Sequence, residues 1–262
     1  WYSVWLPGKE APDWQPQLPE SIQIIEQVRH NRKLRIGTLK GNRFKLVIRN
    51  CEGDKTQLES CLAAIRKDGV PNYFGVQRFG HDQQNIVRAP SWFEGHSKPK
   101  ASKQRGMYLS AARSLIYNHC LSQRVTQGQW SSAVDGDVFK LDGTNSCFYE
   151  PLNDTLIQRV TELDLHPTGP LWGAGELVSQ GEVAALESSM TEVFPVLCAG
   201  LEKHGLKQER RSLRVMVGEL EYQWLSDDCL ELSFSLPPGS YATSVLQELG
   251  EFRDATELPT ET

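Results

Sequence analysis

Apolar and polar residues alternate over three stretches of this chain. At its start Tyr2, Val4 and Leu6 interleave with Trp1, Ser3 and Trp5, a strand pattern. Phe44, Leu46 and Ile48 alternate with Arg43, Lys45 and Val47, which predicts a strand with one apolar and one basic face. Leu230, Leu232, Phe234 and Leu236 alternate with polar neighbours and predict a strand over 229–236. Weaker patterns predict strands over 22–28, 34–37 and 212–217, and a short apolar segment at 138–141 follows the turn Asp135-Gly136-Asp137. The run 34–37 and the strand from Phe44 flank Lys40-Gly41-Asn42, which reads as a hairpin turn.

Helical spacing takes over between these runs. Asp54-Lys55-Thr56-Gln57 has the spacing of a capping box, Leu58, Leu62 and Ile65 follow on one face, and Gly69 closes the helix. The strongest helix is predicted over 108–125, with Leu109, Ala112, Leu115, Ile116 and Cys120 on one side. Another is predicted over 182–201, interrupted at Pro195. After the break at Leu236-Pro237-Pro238-Gly239, Ser240 is positioned to cap a helix carrying Val245, Leu246 and Leu249. Residues 7–20, with four prolines, and the polar stretch 81–104 read as loops. The stretch 142–179 is too broken by Gly and Pro to assign, and the acidic tail from Gly250 is expected to fray. Strand-rich ends around a helical middle predict an α+β fold with an inserted second domain.

The chain has 262 residues, 39% hydrophobic and 23% charged, which suits a folded protein of one large or two ordinary domains. Its net charge of −5 excludes a globally basic nucleic-acid coat protein. The charge is segregated, however. Residues 29–49 hold eight Lys or Arg and no acid, and residues 95–134 hold six more, again with no acid. A concentrated positive face attracts a polyanion even on an acidic protein, although such windows can equally be a solvated surface. No apolar run reaches membrane-span length. The six cysteines form no C-x-x-C pair and the six histidines show no metal spacing, so neither zinc nor a disulfide framework is expected; scattered cysteines suit a reducing cytoplasm.

Three stretches look over-specified for folding alone: His30 to Phe44 (HNRKLRIGTLKGNRF), Gly69 to Gly80 (GVPNYFGVQRFG) and Leu236 to Leu246 (LPPGSYATSVL). With Arg105 to Asn118 (RGMYLSAARSLIYN) as a fourth ordered match, the sequence resembles the TruD family of tRNA pseudouridine synthases from residue 1 to about 250. The resemblance implies a pseudouridine synthase catalytic domain, with a mixed, mainly antiparallel sheet and helices, at 1–68 and 211–262. It implies a family-specific insertion domain at 69–210. It further implies a cofactor-free, metal-free isomerisation of a D-arm uridine of tRNA, uridine-13, to pseudouridine in the cytoplasm. It leaves the oligomeric state open, a monomer included.

The family's nucleophilic Asp lies in a Gly-x-Lys-Asp-type motif upstream of the strand at Trp1. No Asp in this sequence matches it, so the chain is expected to be the later part of a longer protein and inactive alone. Gln247 stands where the family often has Arg. The resemblance makes Asn42, Phe44 and Tyr241 substrate-binding residues. Beside those readings, Asn42 also reads as a turn residue, though the family match outweighs this; Phe44 reads as a core ring, a role compatible with the first; and Tyr241 reads equally as a packing residue at a helix start. Arg29, His30, Lys33, Arg35, Lys40, Arg43, Arg78, Lys103 and Arg105 are the candidate RNA contacts. Asn72, Tyr73, Phe74, Gln77 and Arg78 could face RNA or form the seam that joins the insertion, the seam being favoured. Gly69, Gly75 and Gly80 read as backbone-geometry residues. The competing functional class is a non-catalytic RNA-binding module, and a third is a structural fragment.

Overall fold

The structure is a computed structural model that describes residues 13–32 and 39–253. The patterns at 1–6 and 34–37, the candidates Lys33 and Arg35, and the end of the acidic tail lie outside those residues. The chain divides into two units, 1–40 and 41–262. Among the described residues of the first, a 3₁₀ turn, Gln15–Gln17, precedes chain without helix or strand. The predicted strand over 22–28 does not form: Ile25 and Val28 are exposed, and the backbone N–H of Ile24 donates to the side chain of Gln15 at 2.8 Å. Alternation creates a strand only where a second strand supplies ladder partners.

The second unit opens with β1 (Asn42–Ile48), α1 (Lys55–Asp68) and β2 (Val70–Pro71). The helices α2 (Gln84–Phe93) and α3 (Ser102–Thr126) follow. Next come β3 (Val138–Leu141), β4 (Cys147–Tyr149), α4 (Asp154–Thr161) and β5 (Leu165–Leu171). Three helices, α5 (Gly181–Ser188), α6 (Met190–Val193) and α7 (Pro195–Lys203), precede β6 (Glu209–Ser212) and β7 (Arg214–Val215). The chain closes with β8 (Gly218–Ser226), β9 (Cys229–Leu236) and α8 (Ala242–Gln247). The strands form three antiparallel sheets, in the orders β1-β9-β8, β2-β7 and β4-β3-β5-β6. This is the α+β class expected.

The sheet β1-β9-β8 is built from both ends of the unit. Leu232 and Phe234 of β9 are fully buried, and with Val245 of α8 and Leu62 of α1 they form one hydrophobic cluster. Phe44, Leu46 and Ile48 pack onto it from β1, so the apolar face of that strand is as predicted. Its basic face is partly neutralised: Lys45 pairs with Glu231 at 2.9 Å and Arg43 lies 3.9 Å from Glu219. β1 takes as a partner β9, far away in sequence; the other arm of the expected hairpin, 34–37, lies outside the described residues. Asp54 caps α1 by accepting from the N–H of Thr56 at 2.8 Å, and Gly69, at φ +73°, ends the helix.

Three further expectations are corrected. Residues 81–104 are not a loop but mostly helix. The helix α2 follows two consecutive left-handed residues, Asp82 (φ 50°) and Gln83 (φ 56°), so no glycine announces its start. It tolerates Pro90 and buries Asn85, Ala89 and Phe93 at helical spacing. The unassigned 142–179 contains β4, α4 and β5. The strand β5 reads LHPTGPL, yet it is central and almost wholly buried. Gly169 is needed there, because a Cβ would stand 2.9 Å from Leu213 and 3.2 Å from the ring of Tyr117, which lies across the strand. Finally, Ser240 does not cap α8. Tyr241 occupies the cap position without a side-chain bond, and the helix ends before Leu249.

Several buried polar groups of the second unit are paired. Arg124 and Asp137, 2% and 0% exposed, meet at 2.7 and 3.0 Å. Arg210 holds Glu187 by two bonds of 2.7 Å. Arg214 on β7 donates to the carbonyls of Val160 and Leu165 and, at 3.0 Å, to Nδ1 of His166. The other ring nitrogen of His166 donates to Asp142 at 3.0 Å. Burial lowers the pKa of His166, the bond to Asp142 partly offsets this, and Arg214 and Lys140 oppose a second positive charge.

A folded-state pKa below the unfolded value of about 6.5 means that the unfolded chain binds more protons between the two values. This stability is complete above about pH 6.5 and is lost as pH falls through the folded pKa. The melting temperature of the chain is therefore expected to fall on acidification from pH 7.5 to 5, and less steeply in His166→Gln. Equal slopes would show that His166 does not titrate against the fold.

Candidate functional site

Asn42 is exposed at the first position of β1, where its register partner is Leu236, the last residue of β9. A Cβ on Gly41 would stand 2.7 Å from the carbonyl oxygen of Leu236, so only glycine lets the two strands close up here. Phe44, two residues on, is half-buried and stacks on Phe234 at 5.4 Å. The register thus sets the Gly-Asn-x-Phe element against the strand that leads into the Pro237-Pro238-Gly239-Ser240-Tyr241 turn. Gly239 adopts φ +81°, and its carbonyl accepts from Arg211 at 3.0 Å.

Tyr241 is held from several sides. Its hydroxyl accepts from Nε of Arg78 at 2.9 Å. Its ring lies edge-on to Phe74 at 6.1 Å. A Cβ on Gly75 would stand 2.8 Å from that ring and 2.8 Å from the Thr243 hydroxyl, so Gly75 is a close-approach glycine, at an ordinary φ of −70°. Arg78 also donates to Ser110 on α3 at 2.7 Å, and its guanidinium sits 5.1 Å from the centre of the Phe74 ring.

The rest of the GVPNYFGVQRFG segment is tied down in the same way. Asn72 donates to the carbonyl of Ser212 and accepts from Arg211 at 2.6 Å. The side chain of Asn118 brackets the backbone of Phe74, with bonds of 2.9 Å to both its N–H and its carbonyl. Ser244 donates to the carbonyl of Tyr73. The guanidinium of Arg211 lies 4.0 Å over the Phe74 ring. Beside it, burial pushes the phenol of Tyr117 well up, so it stays protonated and donates to Ser212 at 2.7 Å. These contacts hold the segment against α3, β6 and α8.

Arg29, His30 and Lys40 are exposed in the first unit, where Nδ1 of His30 accepts from the N–H of Arg32. Lys103 and Arg105 are exposed on the first turn of α3. Arg105 lies 5.8 Å from the Trp92 ring, which stacks on His204 at 4.2 Å. Two other cations of that acid-free window are used inside the fold: Arg124 on Asp137, and Arg113 on Glu209 and the carbonyls of Leu171, Trp172 and Lys207. Among the described residues, no group of three His, Cys, Asp or Glu side chains is placed to hold a metal.

Sequence reasoning passed over Arg211, Ser110, Asn118 and Asn85. For Ser110 and Asn118 a signal existed. With Arg113 they are polar residues among the apolar ones of α3, and each bonds across to another segment. Arg211, one of several cations in Arg210-Arg211-Ser212-Leu213-Arg214, carried none.

The model of the TruD family, tRNA pseudouridine synthase D, matches residues 9–89 and 84–249. The chain belongs to the TruD family. It is 47% identical over 253 residues to tRNA pseudouridine synthase D of Hydrogenovibrio crunogenus, covering 97% of this chain and 73% of that protein. It is 45% identical over 271 residues to the protein of the same name in Xanthomonas axonopodis pv. citri, with the same coverage. A solved TruD structure from Methanosarcina mazei superposes with a TM-score of 0.62 at 20% identity, over 84% of this chain and 71% of that one. That likeness is one of fold, and it agrees with the α+β arrangement of antiparallel sheets. Asn42 and Phe44 lie on β1, and Tyr241 stands at the start of α8.

Proposed function

We propose that this chain works as a tRNA pseudouridine synthase acting on uridine-13 of the D-arm. Family membership across nearly the whole chain supports the reaction class. The observation that carries the reading is the Asn42–Leu236 register, which sets two motifs almost two hundred residues apart on neighbouring strands. The reaction is an isomerisation: the bond from ribose C1′ to uracil N1 breaks and one from C1′ to C5 forms, with no net gain or loss of atoms. An extruded uridine would meet the Asn42 amide, which can both donate and accept, and the rings of Phe44 and Tyr241. Residues 1–68 and 211–262 form the catalytic domain and 69–210 the insertion. The separate hydrophobic clusters of α1, β8, β9 and α8 and of α2, α3 and α7 support this division.

The nucleophilic Asp is supplied by the family's upstream Gly-x-Lys-Asp element, which this sequence does not contain. The chain alone therefore binds tRNA and forms no pseudouridine. Product analysis on a tRNA transcript tests this: polypeptide carrying that element beside the present residues forms pseudouridine, and the chain by itself does not. A product from neither would favour the non-catalytic RNA-binding reading, whose support is the absence of the motif. No described helix is long and apolar enough to cross a membrane. The cytoplasm is the compartment we assign, and all six cysteines are free thiols.

Phosphate contact by the exposed cations makes affinity salt-dependent, with a log–log slope of about −0.7 to −0.9 per neutralised phosphate. Lys103→Ala with Arg105→Ala is expected to flatten the slope for tRNA by about 1 to 2. An unchanged slope would leave this turn of α3 a solvated surface.

A further inference from the structure

Beside Tyr241 the structure holds a cavity of about 330 Å³, lined by Gln77, Arg78, Asn85, Met107, Ser110 and Tyr241. That is the small end of ligand-pocket sizes, ~300–1,000 Å³. No carboxylate lines it. Asn85 is only 8% exposed, and among the described residues its amide has no hydrogen-bond partner. The amide keeps some access to solvent through the opening, since among the described residues the fully buried side-chain polar atoms without a partner are Trp224 Nε1 and Thr243 Oγ1.

Space for this amide is reserved by the last glycine of the GVPNYFGVQRFG segment. A Cβ on Gly80 would stand 2.7 Å from Nδ2 of Asn85, and the φ of +83° already selects glycine there. Arg78 and Ser110 bond each other across the wall. Gln77 adds a second, exposed amide, and Met107, 44% exposed, adds a soft apolar surface.

We propose that this cavity takes one unstacked nucleobase of the RNA, a neighbour of the target uridine. The Asn85 amide would read the donor–acceptor edge of that base. The proposal rests on the tRNA reading above and deepens it. An asparagine amide can pair with a base edge through a donor and an acceptor at once. Extruded bases are held by such edge bonds together with stacking on apolar or aromatic side chains. Tyr241 would border both positions, the target uridine on one side and its neighbour on the other.

The test uses the present chain and an unmodified tRNA transcript, with a set of transcripts each carrying one abasic nucleotide in the D-arm. Dissociation constants are measured for the wild-type chain and for Asn85→Leu, Gln77→Ala and Met107→Ala, with a melting curve for each. One abasic position besides the target is expected to weaken wild-type binding about tenfold. In Asn85→Leu the intact transcript should bind about tenfold more weakly, and that abasic position should cost nothing more. If Asn85→Leu fails to fold, the two exposed-site variants decide by the same loss of coupling. Equal abasic penalties in wild type and variants, with tRNA binding retained, would overturn the pocket and leave the tRNA reading standing. A wild-type chain that binds no transcript would overturn both.

Discussion

Asn42→Ala is expected to slow pseudouridine formation by ~10²–10³-fold, the usual effect of losing one preorganised hydrogen bond. It should change unfolding free energy by less than about 1 kcal/mol, as exposed substitutions do. Both halves follow from its place. The side chain is exposed at the end of β1, and the strand is held by main-chain pairing and by Phe44, Leu46 and Ile48 beneath. The measurement needs protein that also carries the Gly-x-Lys-Asp element, with single-turnover product formation set beside a melting curve. Phe44→Ala supplies the contrast. That ring stacks on the fully buried Phe234, so its loss should cost stability as well, ~3 kcal/mol or somewhat more. An Asn42→Ala protein that melts early but turns over normally when folded would make Asn42 a structural turn residue and remove it from the site.

Asp137→Ala is expected to cost ~3–5 kcal/mol, the typical loss when one member of a buried ion pair is removed. Arg124 is 2% exposed and would keep only the carbonyl of Gln129 as acceptor, while the N–H of Val134 would lose its bond to Asp137. Against a total stability of ~5–15 kcal/mol, such a loss leaves a substantial unfolded fraction. Arg124→Leu with Asp137→Leu should recover much of it, because the pair's burial is itself expensive. Urea unfolding midpoints of the single and double variants make the comparison. A single variant within about 1 kcal/mol of wild type would show that water or backbone relaxation resolvates the guanidinium.

The contrast between β9 and β5 shows how far the sequence could be read. In β9 every second residue enters the core, so alternation alone located the strand to the residue. In β5 the same burial is reached on both faces, alternation vanishes, and prolines and a glycine disguise a central strand. The helix α2 was hidden for a different reason: its start depends on two left-handed non-glycine residues, a local geometry with no compositional mark. Helix α3 was legible except for its first turn, which is polar and exposed and so has no periodic imprint.

The candidate site divides along the same line. Family motifs named Asn42, Phe44 and Tyr241, because their residue types and order are local properties of the chain. So did the acid-free windows, which locate cations but not their partners. Only the tertiary structure decided that Arg113 and Arg124 are consumed inside the fold, while Lys103 and Arg105 remain in solvent. It also decided that Arg78 holds Tyr241 and Ser110, and that Gly80 leaves room for the unpartnered amide of Asn85. A charge or an amide carries chemistry by residue type alone. Whether that chemistry is spent on the protein or left for a ligand depends on which distant carbonyl, carboxylate or ring the fold brings within about 3–4 Å, and long-range pairing sets that distance.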